Sequence, residues 1–69
     1  METLSIKDDY IKLGQALKLL NWVSSGVEAK DVIADGLVTV GGEVEVRRGR
    51  KLYDGAIIKF EEQSAKITK

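Results

Sequence analysis

The chain lacks cysteine, histidine and proline, and its charges cancel, with 11 Lys+Arg against 11 Asp+Glu in 69 residues. Without cysteine there is neither a disulfide nor a thiolate metal site to staple so short a chain. Without histidine, Cys-His zinc centres, imidazole acid–base catalysis and His-containing nucleophilic triads are excluded. Aromatic residues are few: one Trp, two Tyr and one Phe. No apolar run approaches the roughly 20 residues that span a bilayer, so no membrane partner is expected. The opening Met-Glu-Thr-Leu-Ser-Ile-Lys-Asp-Asp is acidic and unlike a secretory leader, and a cytoplasmic location is expected. Zero net charge speaks against a generic nucleic-acid coat, because phosphate contacts dominate such binding.

What is present is the balance of an ordinary globular domain, 43% hydrophobic and 32% charged. The length allows one domain, residues 1–69. Residues 3–6 alternate polar and apolar and suit a strand. Asp8 and Asp9 then stand where either would cap a helix. Tyr10, Leu13, Leu17 and Leu20 follow at helical spacing with Ala16 beside them. Gly14 interrupts that stripe at up to about 1 kcal/mol relative to Ala, which points to close packing against a neighbour. Ser25 and Glu28 have capping-box spacing, Ala29, Val32 and Ile33 form a short stripe, and Gly36 stands where the second helix ends. Trp22 and Val23 fall between the helices, and Trp22 is expected to pack in the core or at its edge.

Beyond Gly36 the apolar period becomes two. Val38 and Val40, then Val44 and Val46, flank Gly41-Gly42, a hairpin signal. A two-residue loop would place Glu43 and Glu45 on the face of Val38 and Val40. An odd loop or a bulge places all four valines together, and that register is expected because register follows the buried face. Asp54-Gly55 marks a second turn, and Ile58 and Phe60 would face Ala65 and Ile67 across a hairpin centred on residues 62 and 63. The expected class is α+β: two short helices packed on a small, mostly antiparallel sheet of about four to five strands.

One constellation stands apart. Residues 47–51 read Arg-Arg-Gly-Arg-Lys, so four of the 11 cations occupy five positions. Arginine grips phosphate bidentately and stacks on bases, and Gly49 lets the backbone turn within the run. By composition alone, a solvated charged loop fits the same residues. Nothing groups Lys, Asp and Tyr into a recognisable catalytic site, so neither an enzyme nor a cofactor is expected.

The stretch Ser25-Gly-Val-Glu-Ala-Lys, followed by Gly36-Leu-Val-Thr-Val-Gly-Gly, resembles the alpha-L RNA-binding motif, the domain type named after ribosomal protein S-four. Tyr-Ile-Lys-Leu-Gly-Gln at 10–15 and Arg-Arg-Gly-Arg-Lys-Leu at 47–52 make the chain similar to the free-standing bacterial YaaA/YbcJ-like subfamily over roughly residues 4 to 60. The resemblance implies binding of structured RNA, ribosomal or transfer RNA, in a setting such as ribosome assembly or on ribosomal particles. It assigns contacts to Lys30 and to Arg47, Arg48, Arg50 and Lys51, with Lys12 and Lys18 on the first helix as further candidates. Tyr53, beside the basic run, is the candidate for base stacking. The expected state is a monomer. Gly26 stands where many members carry Arg, Val27 replaces a glycine, Gly41 replaces the Asn of the hairpin, and Ala56 replaces an Asp. The alternative is a protein-interaction domain that docks an acidic partner through the basic loop.

Overall fold

The computed structural model describes all 69 residues. The elements run β1 (Glu2–Ser5), β2 (Tyr10–Lys12), α1 (Leu13–Leu19), α2 (Gly26–Ala34), β3 (Val38–Val40), β4 (Glu43–Val44), β5 (Lys51–Tyr53), β6 (Ile57–Phe60) and β7 (Gln63–Thr68). Five strands form one sheet in the order β1-β7-β6-β3-β4, and β2 pairs with β5 as a separate ribbon. The β1–β7 pair is parallel and every other pair is antiparallel. The α+β architecture with two helices is as expected. The ribbon adds strands that periodicity did not signal.

Alternation explains the sheet's two faces. Val38 and Val40 on β3 lie opposite Phe60 and Ile58 on β6, and Ile58 lies opposite Ala65 on β7. These residues are buried, whereas Lys59 between them is exposed. The buried face packs with Leu13, Ala16 and Leu17 of α1 and Ala29 and Ile33 of α2 in one core cluster. Fully burying a Leu or Ile side chain contributes about 1.5–3 kcal/mol, so Leu13, Leu17, Ile33, Leu52, Ile58 and Ile67 carry much of the fold. Trp22 belongs to the same core, 8% exposed, and its indole N–H donates to Glu2 Oε2 at 2.9 Å. That bond ties the start of β1 to the helical layer.

Both helices end in the same way. The amides of Asn21 and Trp22 donate back to the carbonyls of Lys18 and Leu17, and those of Gly36 and Leu37 to Ile33 and Val32. This double bond pattern satisfies carbonyls that the helix leaves free. Ser25 caps α2, its Oγ accepting from the Glu28 amide at 3.1 Å. The return bond differs from the expected box. Glu28 Oε1 accepts from the amide and hydroxyl of Ser24 at 2.7 and 2.8 Å, not from the Ser25 amide. The Ser24 amide first, then its hydroxyl, holds the Glu28 carboxyl below its ordinary pKa.

Three further expectations are corrected. Asp8 and Asp9 cap nothing: residues 10–12 are a strand, and α1 starts at Leu13 with Lys12 in the cap position and no side-chain cap. Tyr10 is therefore not on the helical stripe. The last hairpin turns at residues 61 and 62, with Phe60 opposite Gln63. The Gly41-Gly42 hairpin takes the two-residue loop, with Val40 opposite Glu43 and Thr39 opposite Val44. Both glycines have positive φ, +60° and +86°, the backbone of the tight turn whose twist matches that of paired strands. Val44 and Val46 consequently face solvent, and Glu45 takes the buried side opposite Val38, to which its amide donates at 3.0 Å.

Ser25→Ala should lower stability by about 0.5–2 kcal/mol through the lost cap. A urea titration checks it, and an unchanged midpoint would show that the hydroxyl contributes nothing.

Candidate nucleic-acid interface

The basic run is placed by the backbone on one side and by a carboxylate on the other. The first turn of α1 has free amides, as every helix start does. Here the Leu13 amide donates to the Arg50 carbonyl at 2.8 Å and the Gly14 amide to the Arg48 carbonyl at 3.0 Å. The ribbon leads into this contact, with Ile11 opposite Leu52 and Lys12 opposite Lys51. The loop thus lies against the start of α1. A methyl group at Gly14 would sit 2.6 Å from Arg48 Cγ. The glycine is the close approach that the sequence suggested, and the neighbour is the basic run itself.

On the other side stands Glu45, 6% exposed. Its Oε2 accepts from the Arg47 amide and Nε, each at 3.0 Å, and its Oε1 accepts from Arg47 Nη2 at 3.0 Å and Arg50 Nη1 at 2.8 Å. Charge-assisted bonds favour the ionised carboxylate. Arg47 first, then Arg50, hold the Glu45 carboxyl well below the carboxylate range, and Glu45 in turn raises the Arg47 pKa. The Arg50 amide donates to the Arg47 carbonyl at 3.2 Å and closes the run into a turn.

Two grooves meet at Gly49. One, of about 430 Å³, is lined by Lys12, Lys18 and Arg48 over a floor that includes Gly14, Gly26 and Ala29. The other, of about 510 Å³, is lined by Arg47, Arg50, Lys51 and Tyr53 with Gly49. No carboxylate lines either groove. Gly26 leaves open space beside Lys18, whose Nζ lies 3.9 Å from where a Cβ would stand. The structure therefore gathers six of the seven cations expected at the site, including the two on or beside α1. Lys30 is exposed on α2, one turn beyond Gly26, and lines neither groove.

Tyr53 is half exposed, its ring centroid 5.9 Å from that of Tyr10 at a tilt of 54°. Lys51 Nζ stands 4.8 Å from the centre of the Tyr10 ring, a cation–π arrangement. Sequence periodicity missed Tyr10 here because helical spacing captured it. Its true signal was the mirrored pattern of Tyr-Ile-Lys at 10–12 and Lys-Leu-Tyr at 51–53. Glu45 was also missed. The signal was a Glu two and five residues before Arg47 and Arg50, just past a strand whose alternation turns it inward.

The family model described as S4 domain matches residues 4–68. A protein of Escherichia coli strain K12 named "Putative RNA-binding protein YbcJ" is 38% identical over 68 residues, covering 97% of each chain. A protein of Bacillus subtilis strain 168 named "Probable ribosome maturation protein RlbA" is 43% identical over 58 residues, 84% of this chain and 82% of that one. A solution structure of YbcJ from E. coli, described as having an alfaL motif involved in RNA-binding, superposes with a TM-score of 0.77 at 37% identity. It covers 100% of this chain and 89% of that one.

Two predictions arise from the geometry. Gly14→Ala gains helix propensity of about 1 kcal/mol in isolation, yet it should displace Arg48 and fail to raise stability. A urea midpoint above wild type would show that the contact yields freely. The second concerns acid. Because the folded Glu45 pKa lies below its ordinary 4.5, the unfolded chain binds more protons as pH falls. The Glu45 contribution is complete above the ordinary value and is lost as pH drops towards the folded one. Urea midpoints measured from about pH 6 to about pH 3 should therefore fall, and fall less steeply in Glu45→Gln than in wild type.

Proposed function

This chain belongs to the S4 domain family, and from that premise we propose that it is an RNA-binding module that grips structured RNA, ribosomal or transfer RNA, in ribosome maturation. The observation that carries the reading is the pair of carboxylate-free grooves meeting at Gly49, with cations from α1, the ribbon and the basic loop. The names of the relatives support it, one as an RNA-binding protein and one as a ribosome maturation protein.

The proposed mechanism is electrostatic grip with shape fit. Lys12, Lys18 and Arg48 take phosphates in the first groove, and Arg47, Arg50 and Lys51 take them in the second. Lys30 adds a peripheral contact on α2. Each neutralised phosphate releases counterions. The A-form major groove is too deep and narrow for side chains to read bases, so a small rigid surface recognises backbone geometry, bulges and junctions. Tyr53, supported by Tyr10, offers a ring for an unstacked base beside the phosphate contacts. The role is binding alone, without chemistry on the RNA.

For about four to six phosphate contacts, the plot of log K against log salt should have a slope near −3 to −5. A filter-binding titration of purified bacterial ribosomal RNA measures it. Replacing Lys12, Lys18 and Arg48 by Ala should flatten the slope by about 2–3 and weaken binding strongly. Replacing Arg47, Arg48 and Arg50 by Ala should do the same. Binding by both triple variants as tight as that of wild type would remove the site assignment. A ribonuclease-insensitive, stoichiometric acidic protein partner would replace the RNA reading with protein docking.

A further inference from the structure

We propose that Glu45 is a positioning residue for RNA recognition: it holds Arg47 and Arg50 in the geometry in which they meet the phosphate backbone, and so sets discrimination between structured RNA and other polyanions. The inference rests on the RNA-binding reading and adds a residue that no cation count would select.

Glu45 is the one charged residue among the buried ones. It stands opposite Val38 and is shut off from water, where a charge is costly unless fully paired. A valine would suit the sheet better. Every hydrogen bond its carboxylate makes goes to the basic loop, three to Arg47 and one to Arg50, and none goes to the body of the fold. The carboxylate thus acts on the loop. It anchors both ends of the turn, leaving Arg48 and Gly49 between the anchors. Arg48 is then directed over Gly14 into the first groove, while Arg47 and Arg50 line the second.

The arginines are not consumed by this pairing. Arg47 uses Nε and Nη2, and Arg50 uses only Nη1, so most of each guanidinium's donors stay free. Their side chains remain 72% and 41% exposed. A guanidinium already held in place loses less freedom when it meets a phosphate than one that swings free.

Charge and positioning predict opposite signs, which makes the test sharp. A carboxylate beside a phosphate site repels the ligand, so by Coulomb's law alone Glu45→Gln should bind every polyanion more tightly. If Glu45 positions the arginines, the same variant should bind ribosomal RNA about tenfold more weakly, the effect of releasing two rotamer-rich side chains. Its binding to poly(U) and heparin should be equal to or tighter than that of wild type. The ratio of the two affinities is the readout that general destabilisation would not move.

Both proteins are titrated with ribosomal RNA, poly(U) and heparin at one salt concentration, after circular dichroism and a urea midpoint establish that each is folded. Glu45→Gln that is folded and binds ribosomal RNA as tightly as wild type, or more tightly, overturns the proposal. A double variant, Arg47→Lys with Arg50→Lys, keeps both charges and loses the forked geometry, and it should show the same fall in the ratio. If Glu45→Gln does not fold, this double variant decides, and an unchanged ratio overturns the proposal. Wild type that binds neither RNA removes the functional reading itself. Wild type that binds, beside variants that bind with the same ratio, removes only the positioning role.

Discussion

The amides of Leu13 and Gly14 open a helix, and their acceptors are the carbonyls of Arg50 and Arg48. Most of what distinguishes this small fold follows from that contact. Helix starts need acceptors, and no side chain caps α1. The basic loop supplies them with its backbone, which leaves its side chains free for other partners. The ribbon of β2 and β5 brings the two segments into register, and Gly14 keeps the surface of α1 low enough for Arg48 to cross it. A charged loop that would otherwise sample many conformations is thereby built into the scaffold.

Neutrality of the whole chain conceals a strong local asymmetry. Outside residues 47–51 the chain carries 7 cations and 11 anions, a net of −4, against +4 within the run. The fold concentrates the asymmetry further by adding Lys12 and Lys18 to the loop cations. Glu45 moderates the cluster from beneath. In the proposed role, a local positive field on an otherwise mildly acidic body orients the domain on RNA and limits indiscriminate adhesion to polyanions.

Much of this was legible in the residues. The second helix, its Ser25 cap and its end at Gly36 are local signals, set by neighbours a few positions away. The turns at Gly41-Gly42 and Asp54-Gly55 are local as well. The α+β class and the family resemblance came through with them. The first helix start was not legible, because residues 10–12 become a strand only by pairing with residues 51–53, far along the chain. The hairpin register was lost for a related reason. Counting valines favours burying Val44 and Val46, whereas the tight glycine turn and the double pairing of Glu45 favour exposing them. The Glu45 pairs span only two and five residues, but ion pairs have no period, so patterning did not find them. The site was half visible: the loop cations announced themselves by clustering, Lys12 and Lys18 were candidates through the family resemblance, and Tyr10 and Glu45 became part of it only through folding.

The parallel union of β1 with β7 gives the domain an order of completion. Glu2 pairs beside Ala65 and Ser5 beside Thr68, so residues 63 apart in sequence are neighbours in the sheet. In the sheet β1 has β7 as its one neighbour, so it joins only once β7 is in place. Helices, ribbon and central hairpins can assemble earlier, but the Trp22–Glu2 bond gives the waiting strand only a side-chain tether. Closing so long a loop is entropically slow. The β1 edge of the sheet is therefore expected to be the last part of the fold to become ordered, and the edge through which it first comes undone.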